Sequence, residues 1–178
     1  LTLAVCTFSV TAMTAQTSDM RTRAEISNYE ETSSYADVTR VIDGLAATSN
    51  LVHTESFGKT EEGRELPLMV ISDPRVTTPA AARKLGRPLV FVQANIHSGE
   101  VEGKEAVLML ARRLVSGDLK PLTRQLVLLI APDYNADGNE RVSVRNRGSQ
   151  FGPIGGMGQR ANAENLDLNR DNTKLETA

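Results

Sequence analysis

Two short, uninterrupted apolar runs, Leu89-Val-Phe-Val92 and Leu126-Val-Leu-Leu-Ile130, flank a helical stripe, and this triplet constrains the fold more than any other feature. Consecutive apolar residues without polar alternation are expected of a strand covered on both faces. Between the runs, Val107, Leu110, Ala111 and Leu114 recur on one face of a helix over 101–115. Arg112 and Arg113 fall largely outside that stripe, and Gly117 stops it. Strand, helix, strand over about forty residues predicts a right-handed crossover in a parallel or mixed sheet.

Upstream, Ser33 or Ser34 caps a predicted helix in which Tyr35, Val38, Ile42 and Leu45 share a face. The segment 51–57 alternates moderately, 58–63 is a turn cluster, and 66–71 is a further apolar run, which together predict a hairpin. Pro74, Pro79 and Pro88 bracket an Ala-rich patch read as loop with a short helix. Residues 133–167 are polar and lack apolar periodicity, so a long functional loop is expected there. Gly155-Gly-Met-Gly158 lacks the Gly-Lys-Ser/Thr of a phosphate loop and reads as a turn.

A length of 178 residues suggests one domain. Hydrophobic residues at 40% and charged residues at 24% exclude wholesale disorder. A net charge of −2 gives no argument for nucleic acid or an anionic membrane as partner. Three Tyr, four Phe and no Trp argue against a base-stacking platform. One Cys excludes an internal disulfide and a Cys-rich zinc site, and two His limit any His-based metal site. No signal bears on oligomeric state.

Residues 1–18 carry no charge; Asp19 is the first charged residue. Leu1, Leu3, Ala4, Val5, Cys6, Phe8 and Val10 form an apolar stretch too short and too rich in Thr and Ser to span a bilayer. It resembles the core of a secretory signal lacking its basic start, with Ala12 and Ala15 as small residues before a cleavage point. Val5 before Cys6 fits a lipoprotein signal poorly. Residues 1–18 are therefore expected to be a partial signal peptide and 19–178 the folded part of an exported protein, periplasmic or secreted. A buried N-terminal strand or helix is the alternative for the same residues.

The chemistry gathers in two places. His97-Ser-Gly-Glu100 follows a predicted buried strand, and Glu100 opens the next helix. Ligands of open α/β sheets collect at such strand ends, and His nitrogen with Glu oxygen suits zinc. The spacing alone is weak, since a Glu in the first turn of a helix is common. The second place is Arg160-Ala-Asn162 followed by Asp167-Leu-Asn169-Arg170-Asp171. Arg suits a bidentate grip on a carboxylate, Asn adds amide donors, and an Arg nine residues earlier is placed to stabilise an oxyanion. Any single Arg of this kind is as readily a surface ion pair.

Taken in order, His97-x-x-Glu100, Asn135-Ala-Asp-Gly138, Arg160 and Asp167-Leu-Asn-Arg170 resemble the zinc metallocarboxypeptidase family. The resemblance runs from about Ser33 to the end and covers the front part of the family's domain. It implies a three-layer α/β/α sandwich with a mixed, mainly parallel sheet, here truncated. It implies zinc as cofactor, with His97 and Glu100 as the first two metal ligands and Asp167 as the carboxylate bonded to the ligating His. It assigns Arg160 to polarising the scissile carbonyl, and Asn169 with Arg170 to holding a substrate's terminal carboxylate. Peptide or protein C-termini are the implied substrates, cleaved by a metal-activated water with a Glu as general base.

The family's third zinc-binding His, its general-base Glu and a substrate-capping Tyr have no match among these residues. His53 is the only other His; its position suits an exposed or hydrogen-bonded strand residue rather than a ligand. The chain alone is accordingly expected to bind zinc weakly or not at all, and not to hydrolyse peptides. Asp171 and Asn172 stand where relatives often carry Asn and an aromatic residue, with an acid beside Arg170. Two further readings use the same residues: a zinc amidohydrolase or deacylase acting on acylated amino acids or cell-wall peptides, and a non-catalytic relative that binds carboxylate-ended peptides.

Overall fold

The computed structural model describes residues 19–177. The expected signal segment, with Cys6, lies outside the described residues. Thr22 opens a short helix, α1 (Arg23–Ile26), with a reciprocal capping box to Glu25. Ser34, rather than Ser33, caps α2 (Tyr35–Thr48) in the same way, through Asp37. The predicted hairpin is β1 (Val52–Lys59) and β2 (Glu65–Ile71), paired antiparallel with an irregularity between Ser56 and Lys59. Then come α3 (Pro79–Leu85), β3 (Leu89–Gln93), α4 (Val101–Ser116), β4 (Val127–Ala131) and α5 (Ala136–Glu140).

The sheet is mixed, in the order β1-β2-β4-β3. β3 and β4 run parallel with α4 as their crossover, while β2 meets β4 antiparallel. Among the described strands, the parallel pair is thus one ladder of three. The period of two sorts β4 between two layers. Leu128 and Ile130 join Val52, Met69 and Ile71 beneath α2 and α4, where Leu45, Leu108 and Leu114 are fully buried. Val127 and Ala131 join Leu68, Val70, Val76 and Ala82 of α3 on the opposite face. Helices therefore cover both faces of the sheet, as the three-layer expectation required.

Two expectations need correction. β3 is not covered on both faces: Leu89 and Phe91 are 54% and 56% exposed, because among the described residues β3 is an edge strand. The polar stretch after β4 is not all loop either. It opens with α5, which has no apolar periodicity and is held by side chains. The buried carboxylate of Asp137 accepts from Thr60 Oγ1 at 2.7 Å, from the Glu62 amide at 3.1 Å and from Arg64 Nη1 at 2.5 Å, fastening α5 to the hairpin turn.

The buried stripe of α4 is Val107, Leu108, Ala111, Leu114 and Val115, and Lys104 continues it toward the N-terminus. Lys104 is fully buried and donates to the Ser33 carbonyl and to Asn139 Oδ1. Burial pushes its ammonium below its ordinary value, with Asp133 and Glu105 opposing that effect. Next to it, Glu105 accepts from Thr32 Oγ1 (2.9 Å), the Ser33 amide (2.6 Å) and Ser33 Oγ (2.9 Å). Lys104 and Glu105 thereby anchor the α1–α2 connection to the crossover helix. Among the described residues, no helix is long and apolar enough to cross a membrane.

Candidate active site

The parallel strands β3 and β4 end side by side, and the polar residues that follow them converge there, as expected for ligand sites in open α/β sheets. β3 passes into Ala94-Asn95-Ile96-His97. Asn95 adopts a left-handed conformation, φ 59°, which redirects the chain toward α4. Its side-chain amide donates to Asp133 Oδ1 (2.7 Å) and Asn139 Oδ1 (3.1 Å), tying the two strand ends together.

His97 is 3% exposed and stands between two carboxylates. Its Nδ1 lies 3.1 Å from Glu100 Oε1 and its Nε2 lies 2.9 Å from Asp167 Oδ1. A neutral imidazole has one N–H, so with Nε2–H donating to Asp167 the Nδ1 lone pair faces the Glu100 oxygen. Placing a cation between that nitrogen and that oxygen relieves the opposition. Zinc bonded to both at about 2.0–2.2 Å in tetrahedral geometry would set them about 3.4 Å apart. The observed 3.1 Å needs an opening of only a few tenths of an ångström. The donor pair therefore fits two ligands of a zinc site. Among the described residues no group of three His, Cys, Asp or Glu side chains forms a complete metal cage. His53 lies far off in β1, 3.9 Å from Glu55, as a partly exposed strand residue.

Glu100 is the N-cap residue of α4, where the helix dipole favours a negative charge. Burial works against ionising it, but the hydrogen bond and charge of Arg147 oppose that, and its carboxyl lies below the usual range. Arg147, 47 residues away in the chain, was not singled out by the sequence; the only available signal was its place in a Lys-free stretch, 138–170, containing five Arg. Its aliphatic stem packs where Gly99 leaves room: a Cβ on Gly99 would sit 2.7 Å from Arg147 Cγ.

Asp167 joins the two sequence motifs. Its Oδ1 receives His97 Nε2 and the Asn169 amide (3.0 Å), and its Oδ2 receives Arg160 Nε and Nη2, both at 2.9 Å. Burial again opposes ionisation, and the bonds from His97 and Arg160 overcome it, pulling the carboxyl down to about 2. Arg160 is thus tethered one carboxylate away from His97, with its side chain 44% exposed. The following 3-10 turn, Leu168–Arg170, buries Leu168 and leaves Asn169 and Arg170 side by side at the surface. Arg170 Nη1 donates to the Asn169 carbonyl at 2.9 Å. The acid next to Arg170 is engaged elsewhere: the Asp171 carboxylate accepts from Thr177 Oγ1 (2.6 Å) and from the amides of Glu176 and Thr177 (2.9 Å each).

Behind this surface, Asp133 is 1% exposed. Burial pushes its carboxyl up to about 6, against the nearby Lys104 ammonium and the Asn95 amide, which favour the charged form. Its Oδ2 and the Asn95 Oδ1 have no partner among the described residues.

The geometry agrees with comparisons to known proteins. Residues 38–175 match the family model described as zinc carboxypeptidase. Carboxypeptidase Z of Mus musculus is 33% identical over 145 residues, covering 78% of this chain and 21% of that protein. Carboxypeptidase D of Anas platyrhynchos is 34% identical over 121 residues, 65% of this chain and 8% of that one. Among solved structures, the putative carboxypeptidase A from Shewanella denitrificans OS-217 has a TM-score of 0.55 at 27% identity, covering 78% of this chain and 32% of that one. The chain thus spans about a fifth or less of these two curated relatives. The parallel strand pair, the His97 turn and the late Asp-Leu-Asn-Arg motif arise on a chain that belongs to the zinc carboxypeptidase family.

Proposed function

We propose that these residues form part of the active site of an exported zinc metallocarboxypeptidase that hydrolyses C-terminal peptide bonds. The observation that carries the reading is the position of His97, clamped between Glu100 and Asp167, with Arg160 on the same aspartate. His97 Nδ1 and Glu100 would hold the zinc. Bound there, zinc supplies Lewis-acid activation of a water. Asp167 fixes the imidazole tautomer and ring plane, leaving Nδ1 free for the metal.

Arg160 swings from its half-exposed tether on Asp167 toward the scissile carbonyl and steadies the oxyanion. Asn169 and Arg170 grip the substrate's terminal carboxylate from the exposed turn, which sets the cleavage point at the last residue. The third metal ligand and the general base would come from outside these 178 residues. The uncharged, apolar residues 1–18 support export as a signal segment.

The test uses the complete gene product. Stoichiometric zinc, with chelator-sensitive release of single C-terminal amino acids from peptides, supports the reading. Release from N-acyl amino acids but from no peptide assigns the protein instead to zinc amidohydrolysis. No hydrolysis, with retained binding of carboxylate-ended peptides, identifies a non-catalytic binder.

A further inference from the structure

Three chain segments meet under the candidate site: 95–98 with the metal-side His97, 135–138 at the start of α5, and 159–161 with Arg160. Asn135, 2% exposed, uses every polar atom it has, three of the four in bonds to the other two segments. Its backbone N–H donates to the Asn95 carbonyl at 3.2 Å, and its carbonyl accepts from Ser98 Oγ at 2.7 Å. Its Oδ1 accepts the Gly138 amide at 3.0 Å and caps α5. Its Nδ2 donates to the carbonyls of Arg160 (3.3 Å) and Ala161 (3.2 Å).

Two more bonds close the ring. The Ser98 amide donates to the Gln159 carbonyl at 3.2 Å, and the Gln159 amide donates to the Gly138 carbonyl at 3.0 Å. The fit is tight, since a Cβ on Gly138 would come within 2.6 Å of Asn135 Nδ2 and 2.8 Å of the Ala161 carbonyl. Gly158 is equally confined, between the Gly138 carbonyl and Ser98.

From this we propose that Asn135 is a positioning residue: it sets the distance between the metal-binding turn and Arg160 without touching substrate. The proposal rests on the carboxypeptidase reading for its catalytic consequence, and on the bonding alone for its structural one. A carboxamide is required because one side chain must both accept from an amide in the first turn of α5 and donate to two loop carbonyls. Aspartate has the same shape and keeps the cap, but presents an acceptor to two acceptors. A misplacement of order 1 Å at a reacting group costs about 10²-fold in rate, so loss of this strap acts on turnover.

The experiment is Asn135→Asp in the complete gene product. The expected result is kcat for C-terminal residue release reduced by about tenfold or more, with KM within about threefold and zinc stoichiometry unchanged. Amide exchange at Ser98 and Gln159 should accelerate as the strap opens. A folded variant with kcat within about twofold of the parent overturns the proposal, as does a loss confined to KM.

Should Asn135→Asp not fold, Ser98→Ala removes one bond of the same ring. It should lower kcat by about threefold or more at constant KM, and an unchanged kcat overturns the proposal. A parent protein that releases nothing from any peptide sinks the carboxypeptidase reading instead. The exchange comparison then still decides the strap, with unchanged exchange at Ser98 and Gln159 refuting it.

Discussion

Replacing the buried carboxylate behind the site by its neutral isostere, Asp133→Asn, should alter the pH dependence of stability by a calculable amount. The Asp133 carboxyl titrates near 6 in the folded protein, because burial outweighs the help of Lys104, Asn95 and Arg64, and Glu140 adds to the shift. Unfolded, it returns to about 3.8. Between those values the folded state holds a proton that the unfolded state has released. Raising the pH through this window therefore removes stability, and the loss levels off above about pH 7.

At about 1.36 kcal/mol per pK unit, the linkage relation gives a loss of about 2 kcal/mol between pH 4.5 and 7.5. Asp133→Asn lacks this titration. The pH-independent part of its effect cancels when one variant is compared with the parent at two pH values, and the attraction between Asp133 and Lys104 is already contained in the folded-state titration. Urea unfolding at pH 4.5 and 7.5 should show the stability difference, variant minus parent, rising by about 2 kcal/mol at the higher pH. With a denaturant slope of about 1–3 kcal/mol/M, that is a relative midpoint shift of roughly 1 M. A change below about 0.5 kcal/mol, or one of opposite sign, would refute the assignment of a buried, reluctant carboxylate to Asp133.

Three other substitutions bear on the same architecture. Lys104→Met leaves Asp133 and Glu105 without their buried counter-charge and should cost about 3–5 kcal/mol in urea unfolding, so a near-neutral result would mean that the ammonium is not part of the core network. In the complete protein, Arg160→Ala should lower kcat about 10²–10³-fold in peptide hydrolysis, whereas a mainly KM effect would reassign it to ground-state binding. Arg170→Lys should raise KM for peptides with a free C-terminus while leaving C-terminally amidated peptides equally poor substrates for both forms; equal KM values would remove Arg170 from carboxylate recognition.

The crossover and hairpin were legible because burial imposes periodicity: β4 and α4 declare themselves by what they hide. The stripe of α4 also contained a signal that went unread. Lys104 sits three residues before Val107, in line with Ala111 and Leu114, so its burial followed from spacing that a charged residue disguised. α5 left no such trace, because Ala-Asp-Gly-Asn-Glu is held by polar bonds to distant residues. β3 misled in the other direction, since four apolar residues in a row do not reveal which edge of a sheet they occupy. Within the site, His97 with Glu100 and Asp167 with Asn169 lie together because they are near in sequence, and it was the resemblance rather than the spacing alone that singled them out. Arg147 and the bonds of Asn135 depend on segments brought together only by folding.

The exposed edge of β3 also bears on how these residues behave in solution. Among the described residues, no strand pairs with the outer backbone donors and acceptors beside Leu89 and Phe91, and the strand carries no lysine, proline or bulge to blunt them. Such an edge is a template for strand addition by any neighbouring chain. At high concentration, self-association of these residues would start at β3 by intermolecular sheet growth, while the packed layers beneath α2 and α4 stay intact. Colloidal behaviour would then be decided by one five-residue strand rather than by the stability of the core.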